Sequence, residues 1–191
     1  MTYTRQVQLF VILFIIALGL GTEIYIGRMI GAGDYEGAFR EVLRSVKIGF
    51  ALALGIVGVV VFFGEALLGQ FTHDPAVIAG GLLLLLMSIP YEPGRVLNIV
   101  IINALRATGD ARFPVTVALG SQWLLSVPLC WLLGLKLGWG LPGVWLAMMT
   151  EEWLRGGIMY VRWKRRSWLA HARRSRDAVL EGRAVPLAPE V

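Results

Sequence analysis

Two stretches place ionisable side chains inside otherwise apolar sequence. In PYEPGRVLNIVIINAL, residues 90–105, Glu92 and Arg95 are three apart, Asn98 lies one turn further on, and Asn103 comes after it. In LAMMTEEWLRGGIMYV, residues 146–161, Glu152 and Arg155 are three apart and Glu151 and Arg155 four apart. On a helix both spacings bring acid and base to one face. Ionisable groups deep in apolar helices are costly and mark either ion pathways or paired charges. A carboxylate there can take up and release a proton or Na⁺. Glu92 and Glu152 are therefore candidates for a coupling-ion relay, and Asn98 joins them as an ion or substrate candidate. Arg95 and Arg155 do not deprotonate and, with Glu151, are read as structural intramembrane ion pairs. Of the three acids, Glu151 is the first to assign to lipid or solvent. Glu23 either shares the same cavity or pairs with Arg28 near a helix end, and the second reading is preferred. The spacing also predicts that the two polar stretches face one another inside a bundle.

These residues need helices long enough to cross a bilayer. The chain of 191 residues is 57% hydrophobic and 16% charged, whereas a soluble domain carries about 25% charged residues. Five segments have about 20 or more mostly apolar residues, roughly 8–30, 47–69, 79–105, 114–136 and 141–162. The fold class is an all-α, polytopic membrane helix bundle of about five transmembrane helices. Lys and Arg gather at the first connection (Arg28, Arg40, Arg44, Lys47), the third (Arg106, Arg112) and the tail. Positive-inside reasoning puts these three in the cytoplasm; the expected location, as a separate reading, is the plasma membrane.

Local signals divide the connections. Gly31 and Gly33 should stop the first helix, and Asp34 can cap the next one. Ala38, Val42, Leu43 and Val46 then suggest a short interfacial helix. Arg106, Gly109 and Asp110 repeat the device before Pro114. Pro90 and Pro93 should kink the third segment and Pro128 the fourth. Gly55, Gly58 and Gly64 should allow close packing, and Gln122 with Ser126 should bond across helices. Trp131, Trp139, Trp163 and Trp168 fit interfacial positions.

Several function classes drop out. One cysteine, Cys130, and two distant histidines, His73 and His171, make neither an intrachain disulfide nor a metal cluster. No nucleophile–base pair is visible, so no catalytic residue is assigned and no enzyme is expected. The basic run at residues 162–176 reads as a membrane flank and not as a nucleic-acid surface.

GAGD, then Pro90 and Pro93 ahead of ALRATGDARFP, then LGWGLPGVWLAM running into TEEWLRG and a basic, Trp-containing tail, occur in that order. Together they resemble the multidrug and toxic compound extrusion (MATE) family over roughly residues 20–168. The resemblance implies twelve helices in two six-helix lobes. It also implies export of cationic or amphipathic compounds in exchange for H⁺ or Na⁺, with no other cofactor and both termini cytoplasmic. The five segments look like helices eight to twelve, so residues 1–168 are expected to form part of the C-terminal lobe and 169–191 a basic cytoplasmic tail, partly disordered. The rest of the transporter, the N-terminal lobe above all, would be supplied in cis or in trans. Glu92 lies where some relatives carry a functional acid. Alternatives are a lipid-linked precursor flippase of the same superfamily, or a non-transporting remnant or accessory membrane subunit.

Overall fold

The computed structural model describes residues 2–182 and, in the first helix, the side chains of Leu9 and of Val11 onward. Among the described residues the chain is helical with short turns. The helices are α1 (Thr2–Ala32), α2 (Tyr35–Phe62), α3 (Gly64–Gly69), α4 (Pro75–Ala107), α5 (Arg112–Lys136), α6 (Gly140–Lys164) and α7 (Leu169–Leu180).

Four of them, α1 from Val11, α2, α4 and α5, are long and apolar enough to cross a membrane. Helix α6 is long enough, 25 residues or about 37 Å, but Glu151, Glu152 and Arg155 make it less apolar. The protein is a multi-pass membrane helix bundle. Helix α4 is its axis and packs against α1, α2, α3 and α6. Val96, Val100, Ile101 and Leu105 of α4 meet Ile26 of α1, Val42 and Val57 of α2, and Met159 of α6 in the main core.

Three local expectations change. The interfacial helix and the second span are one continuous rod, α2, because nothing between Val46 and Ile48 interrupts helical hydrogen bonding. The expected apolar stripe is present, with Ala38, Val42 and Val46 buried, but it runs on to Val57. The rod ends at Phe62, and Gly64–Gly69 forms a separate turn of helix. Gly55 and Gly58 face open space, whereas Gly64 is closely packed as expected, an added Cβ meeting Leu82 at 2.9 Å and Leu85 at 3.1 Å, and a further close approach falls at Gly49, where an added Cβ would meet Val96 at 2.5 Å and Leu18 at 2.8 Å. Pro128 is accommodated by widened, i→i+5 turns on both sides, at Gln122–Ser126 and Cys130–Lys136. Proline has no N–H to give the ladder, and such bulges restore bonding around it. Helix α4 runs unbroken through Pro90 and Pro93.

The tail begins as structure. Helix α7 turns back beneath α1, so the described part of the stretch expected to be partly disordered, through residue 180, is helical. Residues 183–191, the end of that stretch, lie outside the described residues. Trp163 and Trp168 do not line an interface. Both are fully buried and stack at 4.4 Å with planes 10° apart. Trp131 and Trp139 are exposed, as interfacial residues would be.

Candidate functional site: a carboxylate-rich cluster between α4 and α6

The expected facing of the two polar stretches is present, and glycine makes it possible. Gly156 of α6 lies against Gly94 of α4: a Cβ on Gly156 would sit 3.2 Å from the Gly94 carbonyl oxygen. The Trp153 ring covers Gly94, where a Cβ would meet it at 3.0 Å, and its Nε1 donates to the Pro90 carbonyl at 2.8 Å. Two helices in such contact can share short polar side chains.

Glu92 lies near the middle of α4 with 0% exposure. Arg95 Nη1 donates to both its oxygens, at 3.0 and 3.2 Å, and the guanidinium stacks over the Tyr91 ring 4.3 Å from its centroid. Asn98 Nδ2 reaches across to α6 and donates to Glu152 Oε2 at 2.7 Å. Arg155 divides its guanidinium between Glu152 Oε2 at 3.1 Å and Glu151 Oε1 at 3.2 Å. Ser121 of α5 donates to Glu151 Oε1 at 2.6 Å. Glu151 is thus buried and held by two partners, not lipid-facing or solvated, because its face of α6 is turned toward α5. Gln122, the expected cross-helix partner, points outward, and Ser121 one residue earlier makes the contact. Asn98 Oδ1 and Arg155 Nε are buried without a partner among the described residues.

The charge count matters more than any single bond. Three carboxyl groups face two guanidiniums, which leaves one carboxylate charge in excess when all are ionised. An excess charge in a desolvated place is strongly disfavoured unless a proton or cation offsets it.

Glu23 belongs to neither expected arrangement. It pairs with Arg106 of α4 at 3.8 Å, not with Arg28, and lies near the helix ends away from the cluster. Arg28 lies five residues along α1, off the face that α4 covers, whereas Arg106 is brought to Glu23 by the α1–α4 packing.

The two glycine turns have the same geometry. Gly33 has φ +81° and Gly109 φ +85°. Asp34 N donates to Met29 O, and Asp110 N to Leu105 O, in the same six-to-one closure. Gly31, expected to help stop α1, remains helical. Asp34 caps Gly37 N at 2.8 Å, whereas Asp110 accepts from Arg162 Nε at 2.7 Å. Helix α7 spans both turns: Ser175 lies over Gly109, and Arg176 lies over Gly33 and donates to the Gly31 carbonyl at 3.4 Å. Arg166 forms an ion pair with Glu36, and that hydrogen bond raises the arginine pKa above its ordinary value. Sequence patterns mark the turns but not the helix that joins them.

The chain is a helical multi-pass membrane bundle with paired charges at mid-helix, and comparison with known proteins assigns it to a family. The MatE family model matches residues 1–132, and the chain belongs to that family. It is 41% identical over 167 residues to the uncharacterized transporter YisQ of Bacillus subtilis, covering 87% of this chain and 37% of the relative. It is 30% identical over 175 residues to a probable multidrug resistance protein NorM of Caulobacter vibrioides, covering 87% and 36%. Another probable NorM, from Pseudomonas aeruginosa, is 30% identical over 193 residues, covering 93% and 38%. The chain thus spans under two-fifths of the length of these relatives. No solved structure matches it.

Proposed function

We propose that the chain forms part of the second lobe of a cation-coupled efflux antiporter. It would export cationic or amphipathic compounds in exchange for H⁺ or Na⁺ across the plasma membrane, with the basic tail in the cytoplasm. One observation carries this reading: the buried α4–α6 cluster holds one carboxylate more than its two arginines neutralise. A proton or a single Na⁺ is what such an excess takes up. Glu92 or Glu152 would be the group that loads, Asn98 would bridge the helices, and Arg95 and Arg155 would fix the remaining charge. Loading would change what α4 and α6 share, and so bias the rocking of one lobe against the other. The remaining lobe, in cis or in trans, is the expected partner, together with the surrounding bilayer. Transport by ion exchange requires no catalytic residue and no other cofactor. The flippase alternative draws no support from the cluster, because both of its arginines are neutralised by carboxylates.

The test is a chimera in which this chain replaces the matching part of a full-length relative, reconstituted in vesicles with an imposed pH or Na⁺ gradient. Glu92→Gln is expected to abolish gradient-driven efflux of a cationic dye while leaving dye binding in place. Efflux that stays coupled in both Glu92→Gln and Glu152→Gln ends the proposal.

A further inference from the structure

The face of α6 turned away from the core carries a groove that the cluster does not use. Its volume is about 520 Å³, and it runs between Phe113 at the start of α5 and the outer side of α6. Trp153 closes one end, Gly157 and Val161 line the middle, and Arg162 and Arg165 form the other end. Trp153, Leu154 and Val161 are 41%, 49% and 47% exposed. A Cβ on Gly157 would meet nothing within 4 Å, so the missing side chain opens the groove floor.

The groove has the length and polarity of one lipid acyl chain with a charged end. Trp153 to Arg165 covers about 18 Å at ~1.5 Å per residue, close to the ~15 Å hydrocarbon thickness of one leaflet. The apolar part starts at the mid-helix level of Glu152, and the charge lies only at the end from which the basic tail leaves. The two arginines there differ. Arg162 is committed to Asp110 and stacks over the Phe113 ring at 4.0 Å. Arg165 is exposed and enters no ion pair among the described residues. Ser167 adds a hydroxyl at the same rim. An apolar channel one leaflet long with a cationic mouth complements an acyl chain bearing an anionic headgroup. A transmembrane helix of a partner would need a surface about 30 Å long.

We propose that the Phe113–Trp153–Gly157–Arg165 groove binds one anionic phospholipid. Its acyl chain lies along Gly157 and Val161, and its phosphate lies against Arg165 in the leaflet nearest the basic tail. The inference does not rest on the transport reading.

The experiment uses the full chain purified in a mild detergent, with phosphatidylglycerol or phosphatidylcholine of identical acyl chains added and bound lipid counted by native mass spectrometry. The expected result is one retained phosphatidylglycerol per chain in preference to phosphatidylcholine. Arg165→Gln should reduce that preference about fivefold, the value of one arginine near an anionic headgroup. Gly157→Leu should fill the groove and remove retention of both lipids. Equal retention of the two lipids by the wild type overturns the proposal. So does unchanged phosphatidylglycerol retention in either variant, or a wild type that pairs with a second copy through this face and retains no lipid. If Gly157→Leu does not fold, the surface variant Arg165→Gln decides the question alone.

Discussion

The mid-helix cluster and the clamp over the two glycine turns, formed by α7 together with the Arg166–Glu36 pair just before it, both join distant parts of the chain, yet on different terms. In the cluster every charged group is buried or nearly so, and acids outnumber bases. In the clamp the Glu36–Arg166 pair lies at the solvent edge, with side chains 60% and 40% exposed, and apolar burial of Trp163 and Trp168 carries the contact. Coulomb attraction and its desolvation cost both grow as the dielectric falls. A mid-helix ion pair is therefore costly to disturb and suited to a change of state. An edge pair is cheap to lose and suits orientation only. The glycine turns stand between the two: backbone geometry fixes them, and α7 holds them from outside.

This contrast can be broken at named residues. The largest effect belongs to Arg155→Met, which strands Glu151 and Glu152 together in the bundle. Removing one partner of a buried pair costs about 3–5 kcal/mol, expected as a large fall in the thermal midpoint of the detergent-solubilised chain. Adding Glu151→Gln and Glu152→Gln to it should restore most of the loss. If Arg155→Met alone is as stable as wild type, the cluster is hydrated and the contrast fails.

Trp163→Ala comes next on the clamp side. It empties a fully buried indole site and unstacks Trp168, a change worth about 3–5 kcal/mol in well-packed cores. The same unfolding measurement, combined with limited proteolysis, should show α7 released before the α1–α2–α4 core. Co-melting of α7 with the core would mean that the clamp is not a separate contact.

Gly109→Ala probes the turn itself. Its φ of +85° and the Ser175 hydroxyl 2.5 Å from an added Cβ predict a loss of about 1–2 kcal/mol from the left-handed backbone alone. A companion Ser175→Gly should recover the steric part and leave the backbone part. At the bottom of the scale, Glu36→Gln should leave the thermal midpoint unchanged within error, since exposed pairs contribute little. A clear drop there would raise the clamp's electrostatics to the rank of the cluster's.

Much of this arrangement is legible in the order of residues alone. Apolar runs of spanning length marked α1, α2, α4 and α5 and their order, because backbone groups in lipid must bond within their own segment. Spacings of three and four fixed which acid meets which arginine on α4 and on α6. Gly33 and Gly109, each with aspartate as its next residue, fixed where α1 and α4 end. Tertiary packing decided the rest, because burial depends on which face a neighbour covers. It turned Glu151 inward to Ser121, gave Glu23 to Arg106 instead of Arg28, and merged the expected interfacial helix into α2. It also stacked Trp163 on Trp168 inside the protein and folded the basic tail across both glycine turns. The charge excess of the α4–α6 cluster has the same origin: the sequence supplies three acids and two arginines, but only the Gly94–Gly156 contact brings them into one desolvated place.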